Sequence, residues 1–219
     1  MSAKPEQLYL DLMKKTLSFS LWPEPLVPAE VYNFMRTGPR RAIIAAAVRA
    51  LRNTNLRLAF VQEVQEEDRA EGKVWPGYAH TMIGRKRLDN IQYCIETVLA
   101  EGIPGDLIET GVWRGGATIF MRAVLAAYGV ADRKVFVADS FAGLPEPDAA
   151  NPADAGDQHH TFTYLAVSRQ EVENNFRHYG LLDEQVVFLQ GWFKDTLPVA
   201  PIEKLAVLRL DGDMYSSTM

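Results

Sequence analysis

Residues 107–116 read LIETGVWRGG, an apolar strand that runs into Glu109 and then into a turn carrying Gly111, Gly115 and Gly116. Further on, a second strand, KVFVADS, ends in Asp139. Strand, acidic residue, glycine turn, helix, strand, acidic residue is the order in which an α/β sheet grips a nucleoside. The glycines let the backbone approach the ligand, and the second carboxylate accepts hydrogen bonds from ribose hydroxyls.

The glycine spacing, G-x-x-x-G-G, departs from the G-x-G-x-x-G of a nicotinamide site. It fits better the methyltransferase form, an acid followed by x-G-x-G-x-G, with Trp113 in the middle. Glu109 is then placed to pair with the amine of a methionine moiety; a tight strand-to-helix turn with no ligand is the alternative. Asp139-Ser140-Phe141 reads either as a ribose site or as a turn cap, since Asp and Ser both cap well. Gly191-Trp192-Phe193 follows the third strand, where an adenine would lie and an aromatic ring could stack on it. Covering a helix start would use the same aromatics.

Leu210-Asp211-Gly212-Asp213 puts two carboxylates at a strand end, oxygen donors that suit a hard divalent ion such as magnesium, or simply a solvated turn. His159 and His160 lie in the long loop 140–166, where an imidazole could take a proton from a hydroxyl near neutral pH or serve as ordinary surface.

The elements that must position these groups follow from periodicity. Segments 6–20, 40–53 and 58–71 have helical spacing, the prolines at 23, 25 and 28 interrupt the first two, and no strand candidate precedes residue 107. A loop at 73–84 leads to a helix ending at Gly102. Strands at 107–109, 135–138, 186–189 and 205–210 then alternate with helices at 117–128 and 169–179, which predicts a parallel sheet with right-handed crossovers. The expected division is a helical extension over 1–75 and an α/β domain over 76–219. LAVLRL (205–210) reads as a strand buried on both faces with nothing after it to cover the far edge. The expectation is a chain truncated at its C-terminal side or completed there by another chain.

The 219 residues are 47% hydrophobic and 23% charged with a net charge of -5, ordinary for a globular protein and without the basic run of a nucleic-acid binder. The single cysteine, Cys94, cannot form an internal disulfide and reads as a buried structural thiol. Neither a membrane span nor a signal peptide is recognisable, so a cytoplasmic location is expected.

The segments TMIGRKRLDNIQ (81–92), LIETGVWRGGATIFMRA (107–123), VADSFAGLP (137–145), DAGDQHH (154–160), GWFKDTLP (191–198) and LRLDGDMYSST (208–218) resemble the macrocin O-methyltransferase family, enzymes that methylate sugar hydroxyls in antibiotic biosynthesis. The resemblance covers roughly residues 70–219. It implies a class I methyltransferase fold, a Rossmann-like doubly wound α/β sheet, that binds S-adenosylmethionine and transfers its methyl group, with magnesium, to a sugar hydroxyl. By the match, Glu109, Thr110, Gly111, Val112 and Trp113 line the cofactor together with Asp139, Ser140, Phe141 and Gly143, and Thr81 and Met82 lie in the loop covering it. Gly191, Trp192 and Phe193 complete the set. Asp211 is the implied metal ligand, Asp213 a weaker candidate, and His159 the preferred general base over His160. The family pattern continues into a further strand ending in paired aspartates and has an acidic residue where this chain has Ser216. A cofactor-binding chain without catalysis is therefore the alternative function. A nicotinamide oxidoreductase and a helical oligomerisation protein are less consistent with the motifs, and a homo-oligomer is expected over a monomer.

Overall fold

The computed structural model describes residues 4–29, 39–61, 63–148 and 151–218. The chain begins with α1 (Pro5–Leu17), which starts on a proline, places Leu10, Met13 and Leu17 on one buried stripe, and ends with Lys14 and Lys15 in its last turn. A short antiparallel ribbon follows, β1 (Val27–Pro28) paired with β2 (Ala59–Phe60). Between them runs α2 (Pro39–Leu51), none of whose residues is buried. The expected helix at 58–71 is thus shortened to α3 (Glu66–Glu71), and the expectation of no strand before 107 is corrected by this ribbon. Ala59 and Phe60 find backbone partners on β1, and such pairing overrides a weak helical periodicity.

The helix α4 (Gly84–Ala100) buries Leu88, Ile91, Ile95 and Val98 at helical spacing and ends before Gly102, whose φ is +64°. Cys94 lies off that stripe and is half-exposed, which corrects the expectation of a buried thiol. The alternating region then folds as β3 (Asp106–Thr110), α5 (Gly116–Ala127), β4 (Val135–Asp139), α6 (Arg169–His178), β5 (Val186–Gln190), α7 (Phe193–Thr196), β6 (Leu205–Leu210) and α8 (Tyr215–Thr218). The N-terminus of α6 is fixed by Ser168, whose Oγ accepts the backbone N–H of Glu171.

The four longer strands form one parallel sheet in the order β5-β4-β3-β6. Alternate residues face opposite sides. Leu107, Val135 and Val137 join a core with Leu10 and Leu17 of α1, Leu88 and Ile95 of α4, Phe120 of α5 and Phe176 of α6. Ile108, Phe136 and Ala138 face the other way, under Phe193, Leu197 and Ile202.

Going outward from β3, the chain lays β4 and β5 on one side and returns to place β6 on the other. The order therefore reverses between β3 and β6, and a crevice opens at their carboxyl ends. Among the described residues β6 pairs only with β3, and Leu208 and Leu210 are 55% and 51% exposed. The strand expected to be buried on both faces is an edge strand here. Also among the described residues, no helix is long and apolar enough to cross a membrane.

Candidate functional site

The crevice at the strand ends is a cavity of about 510 Å³. Gly111 and Trp113 from the turn after β3 line it, with Asp139, Ser140 and Gly143 after β4, Gly191, Trp192 and Phe193 after β5, and Asp211 and Asp213 after β6. Met82 closes it from the segment before α4. These expected residues converge on one space even though 129 positions separate Met82 from Asp211.

The turn after β3 owes its shape to two close approaches. A Cβ on Gly111 (φ +84°) would stand 2.3 Å from the backbone oxygen of Asp211, so only glycine lets β3 and β6 deliver their ends side by side. A Cβ on Gly116 would stand 2.3 Å from the carbonyl oxygen of His80, and the Gly116 N–H donates to that oxygen at 2.9 Å. His80 in turn donates its N–H to Leu17 O at 2.9 Å, so the loop carrying Thr81 and Met82 is strapped between α1 and α5.

Two bulky residues flank the cavity in left-handed backbone, Trp113 (φ 49°) and Phe141 (φ 55°). Such conformations are costly and persist where the surroundings fix them. Asp139 supplies that constraint for both turns. Its Oδ2 accepts the Val112 N–H at 2.8 Å and its Oδ1 the Phe141 N–H at 2.7 Å. Burial pushes the Asp139 carboxyl up, against these hydrogen bonds. The aspartate therefore caps both turns and is also a wall of the cavity. The Trp113 indole N–H donates to Tyr164 O at 3.0 Å, and the Arg114 guanidinium lies 4.3 Å from the Trp113 ring centre.

Of the remaining expected residues, Thr81, Glu109, Thr110, Val112 and Phe141 stand behind the wall rather than in it, and His159 is a partly exposed loop residue outside the lining. Thr81, Thr110, Val112 and Phe141 are buried. Thr81 Oγ1 accepts the Ile83 N–H at 3.3 Å. Glu109 is 1% exposed, with Oε1 2.5 Å from Arg209 Nη1 and Oε2 buried without a partner. Burial pushes its carboxyl up to about 8 despite the guanidinium beside it. Arg209 also reaches Asp211 Oδ2 at 2.9 Å. His159 lies in a single 3₁₀ turn (His159–Thr161) with Nδ1 2.6 Å from Asp157 Oδ2.

Arg209, Asp157 and the aromatic neighbours of Trp113 were not singled out from the sequence. Arg209 carried one usable signal, a charged residue inside an otherwise apolar strand. Among the described residues no three His, Cys, Asp or Glu side chains converge in a way that could hold a metal ion. The Asp213 carboxyl is pushed up by its low-polarity surroundings and then by the neighbouring Asp211.

Comparison with known proteins bears on what such a crevice does. The Macrocin-O-methyltransferase (TylF) family matches residues 6–219. The demethyldecarbamoylnovobiocin O-methyltransferase of Streptomyces niveus is 51% identical over 215 residues, 96% of this chain and 71% of the relative. The 8-demethyl-8-(2,3-dimethoxy-alpha-L-rhamnosyl)-tetracenomycin-C 4'-O-methyltransferase of Streptomyces olivaceus is 48% identical over 220 residues, 100% of this chain and 74% of the relative. Among solved structures, the O-methyltransferase NovP superposes with a TM-score of 0.76 at 48% identity, covering 97% of this chain and 75% of that one.

Proposed function

The chain belongs to the macrocin O-methyltransferase family and has the class I methyltransferase fold, and from this we propose that it transfers the methyl group of S-adenosylmethionine to a sugar hydroxyl of a glycosylated natural product. It is a methyltransferase, so the alternatives of a non-catalytic binding chain, a nicotinamide oxidoreductase and a vestigial sheet give way. The observation that carries the proposal is the reversal of strand order between β3 and β6, with Asp139 and Asp211 on opposite walls of one cavity. The name of the Streptomyces olivaceus relative gives it a rhamnosyl-bearing tetracenomycin as its substrate, which supports the acceptor class.

The residues fit the cofactor in two respects. Glu109 Oε2 is a buried acceptor with no partner, the group a cationic amine would satisfy. The Asp139 carboxylate is fixed by two backbone N–H groups and faces the cavity, as ribose hydroxyls require. Trp192 and Phe193 offer ring faces on the β5 side for the base. Thr110, Gly111, Val112, Trp113, Ser140, Phe141 and Gly143 shape the turns around it, and Thr81 sets the loop that presents Met82. When bound, the cofactor supplies an activated methyl on a positively charged sulfur.

The chain's own task is then to deliver an oxygen in line and to remove its proton. Asp211 flanks the acceptor side of the cavity, and His159 accepts the hydroxyl proton. For magnesium, Asp211 and Asp213 supply the oxygen donors that such an ion takes through one or two carboxylates and water. Asp211 is the proposed ligand, and Asp213, raised first by burial and then by the neighbouring Asp211, would be relieved of part of that by a cation. A bound ion would act as a Lewis acid toward the hydroxyl.

Calorimetric titration with S-adenosylmethionine, with and without magnesium, tests the cofactor assignment. Mass spectrometry of a desmethyl glycoside and its free aglycone then tests the acceptor class. Binding together with a 14-dalton gain on the glycoside alone (a mass of about one methylene) supports the reading; absence of cofactor binding, or methylation of the aglycone alone, overturns it.

A further inference from the structure

We propose that Arg114 is a positioning residue for the cofactor, the bolt by which the turn after β3 holds the loop that presents Met82 to the cavity. The inference rests on the reading of that cavity as the S-adenosylmethionine site.

Residues 73–83 contain neither helix nor strand, so the carbonyl groups of this loop have no ladder of their own. Donors from elsewhere take four of them. Tyr164 donates its hydroxyl to Pro76 O. Arg114 Nη1 donates to Gly77 O and to Ala79 O, each at 2.9 Å. The Gly116 N–H donates to His80 O. Arg114 and Gly116 belong to the same turn, and one nitrogen of Arg114 makes two of the four bonds. The loop thus takes its shape from the residues that follow β3.

Arg114 is itself held on several sides. Its carbonyl accepts Asn175 Nδ2 at 3.0 Å, and Asn175 is buried on α6. Its guanidinium lies 4.3 Å from the Trp113 ring centre and 5.4 Å from that of Tyr164. Tyr164 packs on Trp113 at 5.3 Å and stacks on Trp75 at 5.6 Å, so the ring bed under the guanidinium is braced in turn. A planar guanidinium lays its face on a ring while its edge donates hydrogen bonds, which a lysine ammonium cannot do.

Arg114 stands outside the cavity lining, but Trp113 and Met82 are both in it. The side chain that stacks on one wall residue therefore grips the loop that carries the other. Ala79, whose carbonyl it holds, is 1% exposed and lies just before Thr81 and Met82. Without Arg114 the approach to Met82 keeps the two backbone bonds of His80, to Leu17 O and from Gly116 N–H. The stacking partner of Trp113, a bulky residue in left-handed backbone at φ 49°, is lost at the same time.

Hydrogen exchange in the cofactor-free protein reads the loop directly. Arg114→Met keeps the stem over Trp113 but has no donor, and the protection of the His80 and Gly116 amides is expected to fall about 10-fold. Amides inside α5 are expected to keep the values of the parent, which separates loosening of the loop from a general loss of stability. Arg114→Lys, which can donate to the carbonyls but cannot lie flat on the indole, is expected to fall between the two.

Calorimetric titration is expected to show S-adenosylmethionine binding about 10-fold weaker in Arg114→Met. In transfer to a desmethyl glycoside, KM for the cofactor should rise in the same proportion while KM for the glycoside stays within about 2-fold. Met82→Ala supplies the coupling test. If Arg114 acts by presenting Met82, the affinity lost in the double variant falls well short of the product of the two single losses. Unchanged loop protection and affinity in Arg114→Met overturn the proposal, and so do single losses that multiply in full. Absence of cofactor binding by the unmodified protein would reject the cofactor reading on which the proposal rests, while exchange at His80 and Gly116 would still decide whether Arg114 holds the loop.

Discussion

Glu109 and Arg209 are register partners on neighbouring parallel strands, and the guanidinium of one meets the carboxylate of the other at 2.5 Å in a nearly water-free place. The same Nη1 reaches Asp211, so one cation ties the acid beneath the cavity to an acid that lines it. Burial raises the Glu109 carboxyl to about 8, and Arg209 is the largest influence pulling it down. Arg209→Met is expected to raise that value further. The sign follows from proton binding. A carboxyl whose folded value exceeds its unfolded one contributes stability below the unfolded value of about 4.3 and loses it as pH rises through the folded value. The variant binds its proton more tightly in the folded state, so its deficit relative to the unmodified protein should widen as pH climbs above 8. Urea unfolding at pH 6.5 and pH 9 measures this, and a deficit that does not grow with pH would contradict the pairing.

Gly111 is where β3 and β6 come closest. An alanine there meets two obstacles, a Cβ 2.3 Å from Asp211 O and a φ of +84°. Left-handed strain costs about 1–2 kcal/mol and forced overpacking about 1–3, so Gly111→Ala should lose roughly 2–5 kcal/mol. Because the displaced strand end carries Asp211, cofactor affinity should fall with stability. Unfolding and calorimetry on the same preparation check both, and a variant matching the parent in each would show that the strand ends can separate freely.

How far the sequence reveals this site depends on the kind of signal. The acids and glycines after β3 and β4 are legible because backbone geometry demands those residue types in a short span, and Gly111, Asp139 and Asp211 all reach the cavity. Residues 58–61 were misread because their strand depends on Val27 and Pro28, some thirty positions away, and no local period encodes that pairing. LAVLRL is legible in another manner, as a strand of buried composition with an uncovered far edge. Its composition is that of a buried strand, but burial depends on neighbours, and β6 has only β3 beside it among the described residues. Arg209 stands out as a charge in an apolar strand, but its meaning lies in which residue it faces across the sheet. Trp75 and Tyr164 likewise acquire a role only through the fold that stacks them.

Trp192 is 41% exposed on the β5 side of the cavity, an aromatic face open enough to receive a flat ligand. If it stacks on the cofactor's adenine, its removal forfeits an aromatic contact of about 0.5–1.5 kcal/mol beyond the area lost. Trp192→Ala should therefore weaken S-adenosylmethionine binding by roughly 2- to 12-fold, while stability changes little because the side chain is not in either core. Trp192→Phe should recover most of the affinity. Calorimetric titration of the two variants decides the matter, and unchanged affinity in the alanine variant would remove Trp192 from the cofactor site.

His80 makes acid sensitivity a property of the strap over the cavity. Its Nδ1 lies 2.8 Å from the Tyr179 hydroxyl, and its backbone joins α1 to α5. Burial lowers its pKa, and the charges of Arg114 and His178 lower it further. A histidine whose folded value is depressed contributes stability that is present above the unfolded value of about 6.5 and is lost as pH falls through the folded value, because the unfolded chain takes up the proton first. The protein should thus weaken as pH falls below about 6.5 more than its carboxylates alone would dictate. In His80→Gln this component disappears, so the urea midpoints of the variant at pH 7 and pH 5.5 should lie closer together than those of the parent. The loss should also appear in the cavity, since His80 precedes Thr81 and Met82 and its carbonyl holds Gly116. The protection factor of the Gly116 amide against hydrogen exchange, followed across the same pH range, should fall on acidification in the parent and remain flatter in the variant. Equal pH dependence in the two proteins would show that His80 is solvated in the folded state and that the strap does not titrate.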